Sequence, residues 1–142
     1  MNIDWELAER IQCTDAEREE CVPLMKTLVS FAQKSKAGGL LVLDDEVDNI
    51  RTSVEGTASF FKTGIELVID GTDPEIIAEI LSFKIMAGNY KGLPLLMRCI
   101  ILAGVMGIQA GDNPRILADK LLSFFPDIYL EKKKPTIYFP ED

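Results

Sequence analysis

Apolar residues recur every three or four positions along most of the chain, which is the spacing of one buried face of an α-helix. Ala58, Phe61 and Ile65 follow this spacing, for example. No segment alternates apolar and polar residues as a half-buried strand does, and no Asn-Gly hairpin turn occurs. The sequence therefore predicts an all-α fold. We expect a compact single-domain bundle of about six helices over residues 1–126, followed by an extended tail over residues 127–142.

Capping residues, prolines and glycines predict where the helices begin and end. Residues 1–21 form an acidic N-terminal helical segment, in which Trp5 is a candidate anchor, and Thr14 with Glu17 matches a capping box. Asp73 and Asn113 precede prolines and are expected to be N-caps. The principal predicted helices cover about 3–12, 24–38, 40–50, 58–70, 74–88, 93–109 and 114–125.

The most unusual charge pattern lies between residues 33 and 48, where two lysines precede a Gly38-Gly39 turn and four carboxylates follow it. These charged residues are Lys34, Lys36, Asp44, Asp45, Glu46 and Asp48. If both flanks are helical, the apolar residues after the turn form the buried stripe of the second helix. That stripe comprises Leu40, Leu41, Leu43 and Val47. The prediction is a helix-turn-helix corner with a basic end before the turn and an acidic face after it, here called the charged corner. Its six charged residues are the candidate partner-binding residues; the alternative is that they only keep helix surfaces solvated.

The overall charge limits the class of partner. The chain has 142 residues and a formal net charge of −8. A nucleic-acid-binding surface needs clustered Lys and Arg, and the one basic run, residues 132–134, is followed and preceded by acidic residues. We therefore expect no nucleic-acid partner.

The residues that usually carry catalysis or bind metals are scarce. The sequence has no histidine, and Cys13, Cys21 and Cys99 lack a Cys-x-x-Cys spacing, so we interpret the cysteines as small buried apolar residues. Phosphate-loop, dinucleotide, zinc-protease and serine-hydrolase motifs are absent. The prediction is a non-enzyme without cofactor or metal.

One stretch could be confused with a membrane helix. Residues 92–111 are apolar enough, but Pro94 and Arg98 interrupt them, which favours a buried core helix. The N-terminus lacks a basic region followed by an apolar run, so no secretory signal is expected. These features predict a cytoplasmic protein without a membrane span.

Two separate parts of the chain match a known pattern. Residues 32–48, AQKSKAGGLLVLDDEVD, are followed by residues 60–81, FFKTGIELVIDGTDPEIIAEIL. Residues 100–126 read IILAGVMGIQAGDNPRILADKLLSFFP. The first part resembles the cytoplasmic loop, and the second the cytoplasmic tail, of the flagellar stator proteins of the MotA/TolQ/ExbB family. Both parts occur in the family's order.

The chain also departs from the family. Two channel helices separate loop and tail in the family and two precede the loop, whereas here Tyr90 to Leu96 joins the two parts directly. The resemblance implies a cytoplasmic domain without its ion channel. In the family, a basic residue before the glycine turn and an acidic one after it pair with the rotor protein FliG. Those positions fall on Lys36 and Asp44, and both charge signs are kept.

The functional prediction is a non-catalytic accessory module of the flagellar motor that docks on rotor switch or stator subunits through the charged corner. It would be cytoplasmic, with a peripheral position at the inner face of the membrane near the flagellar basal body. Oligomeric states from a monomer to a small homo-oligomer remain open. One alternative is a scaffold of another cell-envelope assembly, bound through the acidic N-terminus or the tail; a second is a small-molecule-binding protein.

Overall fold

Helices make up the regular structure of the part of the chain that the computed structural model describes, residues 3–140, and no strand occurs within it. The α-helices are α1 Trp5–Arg10, α2 Asp15–Glu19, α3 Val22–Gly38, α4 Thr57–Ile69, α5 Pro74–Gly88, α6 Leu93–Ala110, α7 Pro114–Leu122 and α8 Asp127–Lys132. Two 3₁₀-helices, Leu40–Asp45 and Val47–Asn49, lie between α3 and α4. The predicted all-α fold is confirmed.

Helix α6 is the centre of the bundle, since it packs against α3, α4, α5 and α7. Glycines allow this close approach: a Cβ at Gly64 of α4 would lie 2.9 Å from Val105 Cγ2 of α6. By length and composition α6 could cross a membrane, with a mean hydropathy of 1.8, but 67% of that window is buried inside the fold. Here it is a core helix, as its proline and arginine predict.

Local capping signals operate as predicted. Thr14 accepts a hydrogen bond from the Glu17 N–H, and the Glu17 carboxylate accepts one from the Thr14 N–H, which completes the capping box at α2. The Asn113 side chain accepts from the first N–H groups of α7. Asp73 is the N-cap of α5, but its side chain makes no capping hydrogen bond. Boundaries set by residues a few positions apart are therefore well predicted by sequence.

The acidic helix predicted over residues 40–50 is wrong in type, because two 3₁₀-helices occupy this segment. A 3₁₀-helix has about 3.0 residues per turn, so positions three apart share a face. Leu43 is fully buried and Leu40 is half-buried, whereas Leu41 is 73% exposed. Leu41 thus does not belong to the buried stripe that the α-helical period predicted.

The N-terminal segment is less regular than predicted. It forms two short helices, α1 and α2, and its first two residues lie outside the described part. Trp5 is not an anchor, since it is 74% exposed. Instead α1 is attached through its last residue: the Arg10 carbonyl accepts from the Gly92 N–H, and the Arg10 guanidinium donates to the Tyr90 carbonyl. A six-residue helix has too little apolar surface to dock by itself.

The predicted extended tail is partly helical and is part of the core. Residues 127–132 form α8, and residues 133–140 after it contain neither helix nor strand. Tyr129 and Ile137 are buried in the main hydrophobic core. Farther along, the Gln33 side chain donates to the Phe139 carbonyl at 2.8 Å. Removing residues 127–142 would therefore expose the core rather than detach an independent arm.

Candidate docking site at the charged corner

The charged corner begins where α3 ends. Gly39 has φ +87°, a backbone conformation that favours glycine, and the chain turns there into the first 3₁₀-helix. The preceding glycine also lies close to the new helix, because a Cβ at Gly38 would lie 2.8 Å from Val42 Cγ1. The glycine pair therefore permits a tight corner, after which the first 3₁₀-helix packs back against α3.

The two lysines of the corner are engaged within the fold. Lys34 Nζ lies 2.8 Å from Glu46 Oε1, so it forms an ion pair across the corner. Lys36 Nζ donates to the Gly111 carbonyl at 2.8 Å. Gly111 is the C-cap of α6, and a cation there interacts favourably with the negative end of the helix dipole. The lysines thus attach the corner to the body of the domain.

The four carboxylates separate into two groups. Glu46 pairs with Lys34, and Asp48 Oδ1 lies 2.7 Å from Lys62 Nζ of α4. The hydrogen bond from Lys62 lowers the pKa of Asp48, and the same bond raises the pKa of Lys62. Asp44 and Asp45 are exposed, and within residues 3–140 no cation lies within 4.0 Å of either carboxylate. The outward charge of the corner is therefore negative.

Exposed apolar side chains adjoin these two carboxylates. Leu41 is 73% exposed and Val42 is 37% exposed. Together with Asp44 and Asp45 they form a surface that we call the 41–45 ridge. Exposed apolar groups next to unpaired charges are suited to contact with a protein surface of opposite charge. Over residues 3–140, no group of three or more acidic or cysteine side chains is placed to hold a metal ion.

No protein-family model matches the chain. The chain is similar to one curated protein named here, Motility protein A of Borreliella burgdorferi. The two sequences are 26% identical over an alignment of 176 positions. The chain is a distant relative of Motility protein A. The alignment includes 72% of this chain and 65% of Motility protein A, so the chain spans about two thirds of that protein's length. An alignment longer than the chain must contain residues of Motility protein A that have no counterpart here.

The sequence reasoning did not predict a second charged site, at the start of α6. Arg98 is only 4% exposed and lines a cavity of about 400 Å³. Its guanidinium carbon lies 3.6 Å from the centre of the Tyr90 ring. The available signal was a single arginine inside an apolar stretch, because a buried cation must be compensated by neighbouring groups. In the sequence, this arginine argues only against a membrane helix.

Proposed function

We propose that the chain is a non-catalytic accessory module of the bacterial flagellar motor, which docks through the 41–45 ridge on a basic surface of a rotor or stator component. One observation carries this proposal: Asp44 and Asp45 project from the corner next to exposed Leu41, without a cation near them in the described chain. The distant relationship to Motility protein A supports the motor as the assembly concerned.

In this proposal the lysines shape the corner and the aspartates make the contact. Lys34 and Lys36 have partners within the domain, whereas Asp44 and Asp45 form no ion pair with any cation of residues 3–140. A rotor switch protein of the FliG type with exposed Lys or Arg would therefore find an acidic ridge rather than a mixed pair of charges. This refines the sequence-based pairing, in which both Lys36 and Asp44 occupy positions that pair with the rotor protein.

The expected contact is weak and reversible. Each exposed ion pair contributes about 0.2–1 kcal/mol, so two aspartates and one leucine cannot support a tight complex. Their principal effect would be on the association rate, since complementary charges accelerate encounter at low ionic strength. Such a module suits a component that must exchange on and off a moving assembly at the inner face of the membrane.

A direct binding assay tests the proposal. Purified rotor and stator components from a motile bacterium that carries this protein are immobilised, and binding of the wild type is compared with that of Asp44→Lys/Asp45→Lys. We expect the double variant to bind at least about tenfold more weakly, because attraction is replaced by repulsion. Binding of the wild type should also fall as salt is raised.

A matched control separates local charge from net charge. Glu79→Lys/Glu131→Lys makes the same change in net charge at two exposed positions on α5 and α8. This variant should bind like the wild type. Equal binding by both double variants would show that the 41–45 ridge is not the docking surface. Failure of the wild type to bind any motor component would refute the motor assignment.

A further inference from the structure

The start of α6 contains a buried cation without a counter-charge. Arg98 Nη1 donates to the Pro94 carbonyl at 3.0 Å, and Nη2 donates to the Glu55 carbonyl at 3.4 Å. No carboxylate of residues 3–140 lies within 4.0 Å of the guanidinium nitrogens. A guanidinium has five N–H donors, so these two carbonyls use only part of its hydrogen-bonding capacity.

Neighbouring groups hold the guanidinium in place rather than neutralise it. The Tyr90 ring stacks on one side, with the guanidinium carbon 3.6 Å from the ring centre, which is a cation–π contact. Tyr90 itself lies flat against Gly88, where a Cβ would come 2.1 Å from the ring. On another side the backbone approaches closely, since a Cβ at Gly56 would lie 2.8 Å from Nη2. These contacts therefore hold the guanidinium in one position beside the cavity.

The cavity beside Arg98 has the composition of an anion site. Its polar lining consists of Arg98, Lys84 and the hydroxyl-bearing residues Ser59, Thr63 and Tyr90, and no acidic residue between positions 3 and 140 lines it. Four other surface cavities each include at least one carboxylate. This lining differs from the average composition of the chain, whose formal net charge is −8.

The first turn of α4 borders the same cavity through Gly56 and Ser59. Gly56 is the N-cap of this 13-residue helix, and no side chain caps it. The positive end of the helix dipole adds to the field of Arg98 and Lys84. Three independent sources of positive potential, a buried guanidinium, a lysine and a helix end, therefore meet at one cavity.

We propose that this cavity binds a phosphate-type oxyanion, with Arg98 as its principal ligand and Lys84 and the Ser59 and Thr63 hydroxyls as further donors. The oxyanion could be a soluble phosphate or phosphomonoester, or the phosphomonoester headgroup of an anionic lipid. This inference is independent of the docking proposal, because the 41–45 ridge contributes no residue to the cavity.

Calorimetric titration with inorganic phosphate, at constant ionic strength, is the first test. A small anion held by two cations is expected to bind with a dissociation constant on the order of 1 mM. Sedimentation with phosphatidylcholine vesicles containing phosphatidic acid is the second test. Binding in the first arm identifies a site open to soluble phosphate, and binding to the vesicles alone identifies a lipid headgroup site; either result supports the proposal.

Phosphate binding by single-residue variants tests whether the anion binds in this cavity. Lys84→Gln changes an exposed residue and should weaken binding about tenfold without altering the fold, since it removes one charge-assisted hydrogen bond. Arg98→Lys should weaken it further, because a lysine cannot present the guanidinium's planar set of donors. Lys132→Gln, an exposed lysine of α8, is the matched control and should bind like the wild type.

Three outcomes would overturn the inference. They are no binding of phosphate or of phosphatidic acid vesicles by the wild type, equal weakening by Lys84→Gln and Lys132→Gln, and unchanged binding by Lys84→Gln. The variant Asp44→Lys/Asp45→Lys should retain phosphate binding, so failure here and failure of the docking proposal are distinguishable.

Discussion

Gly104→Ala tests how closely α3 and α6 pack. A Cβ at Gly104 would lie 2.6 Å from both Cδ atoms of Leu28 and 2.9 Å from its Cγ. Leu28 is fully buried, so its side chain has no free space into which it can rotate. Overpacking of this kind costs about 1–3 kcal/mol, whereas replacing a helical glycine by alanine stabilises a helix by about 1 kcal/mol. We therefore expect Gly104→Ala to lower the free energy of unfolding by about 1 kcal/mol.

The effect of Gly104→Ala on the free energy of unfolding should change sign when Leu28 is replaced by a smaller residue. Leu28→Ala alone should cost about 2–5 kcal/mol, because it leaves a cavity between α3 and α6. In that background the atoms that a Cβ at position 104 would strike are absent. Gly104→Ala should then raise the free energy of unfolding, by up to about 1 kcal/mol.

Urea denaturation followed by circular dichroism, on the wild type, both single variants and the double variant, measures this coupling. The expected result is a destabilising Gly104→Ala in the wild type and a stabilising one in Leu28→Ala. If Gly104→Ala changed stability equally in both backgrounds, the Gly104–Leu28 contact would not determine the packing of these helices.

Two further predictions concern titratable groups. Hydrogen bonds from the Thr14 backbone and hydroxyl lower the pKa of Glu17 from its ordinary value of 4.5, so their stabilisation is present above pH 4.5 and lost as the pH falls through the lowered pKa. Thr14→Ala should destabilise the protein by about 1 kcal/mol at neutral pH and raise the Glu17 pKa, as an NMR titration would measure; an unchanged pKa would contradict this. Burial raises the pKa of Cys21 to about 12 and that of Cys99 to about 11. Both thiols should therefore react slowly with a disulfide reagent in the native protein, Cys21 more slowly, and quickly in denaturant; labelling of native Cys21 at the denatured rate would be inconsistent with its burial.

Sequence patterns predict a helix well when its capping residues are close together in sequence or when its apolar period continues over many residues. The Thr14–Glu17 capping box and the Asn113 cap join residues three or fewer positions apart, so their geometry depends little on the rest of the fold. The apolar periods of α4 and α6 are long enough to identify both helices. The helical period after Gly39 is not visible in the sequence, because which leucine is buried depends on how the turn meets α3 and α4.

The ion pairs and hydrogen bonds of the predicted corner residues could not be derived from the sequence. Lys34 and Glu46 are 12 residues apart, and Lys36 reaches a carbonyl 75 residues away, so neither partner is visible in a local pattern. The cavity at Arg98 also joins segments distant in sequence, namely the first turn of α4, the end of α5 and the start of α6. Only their packing brings two cations and several hydroxyls to one surface.

The sequence by itself determined the all-α class, the capped helix ends, and a cluster of charges around a glycine turn, since each depends on residues that are close together along the chain. Tertiary structure decided which of those charged side chains form ion pairs or hydrogen bonds within the domain and which remain exposed. It directs Lys34 and Lys36 to partners inside the domain and leaves Asp44 and Asp45 exposed, and it encloses Arg98 beside a cavity lined by no acid. The physical reason is that whether a charge is neutralised depends on the groups within a few ångströms of it, and in a helical bundle most of those groups come from other helices.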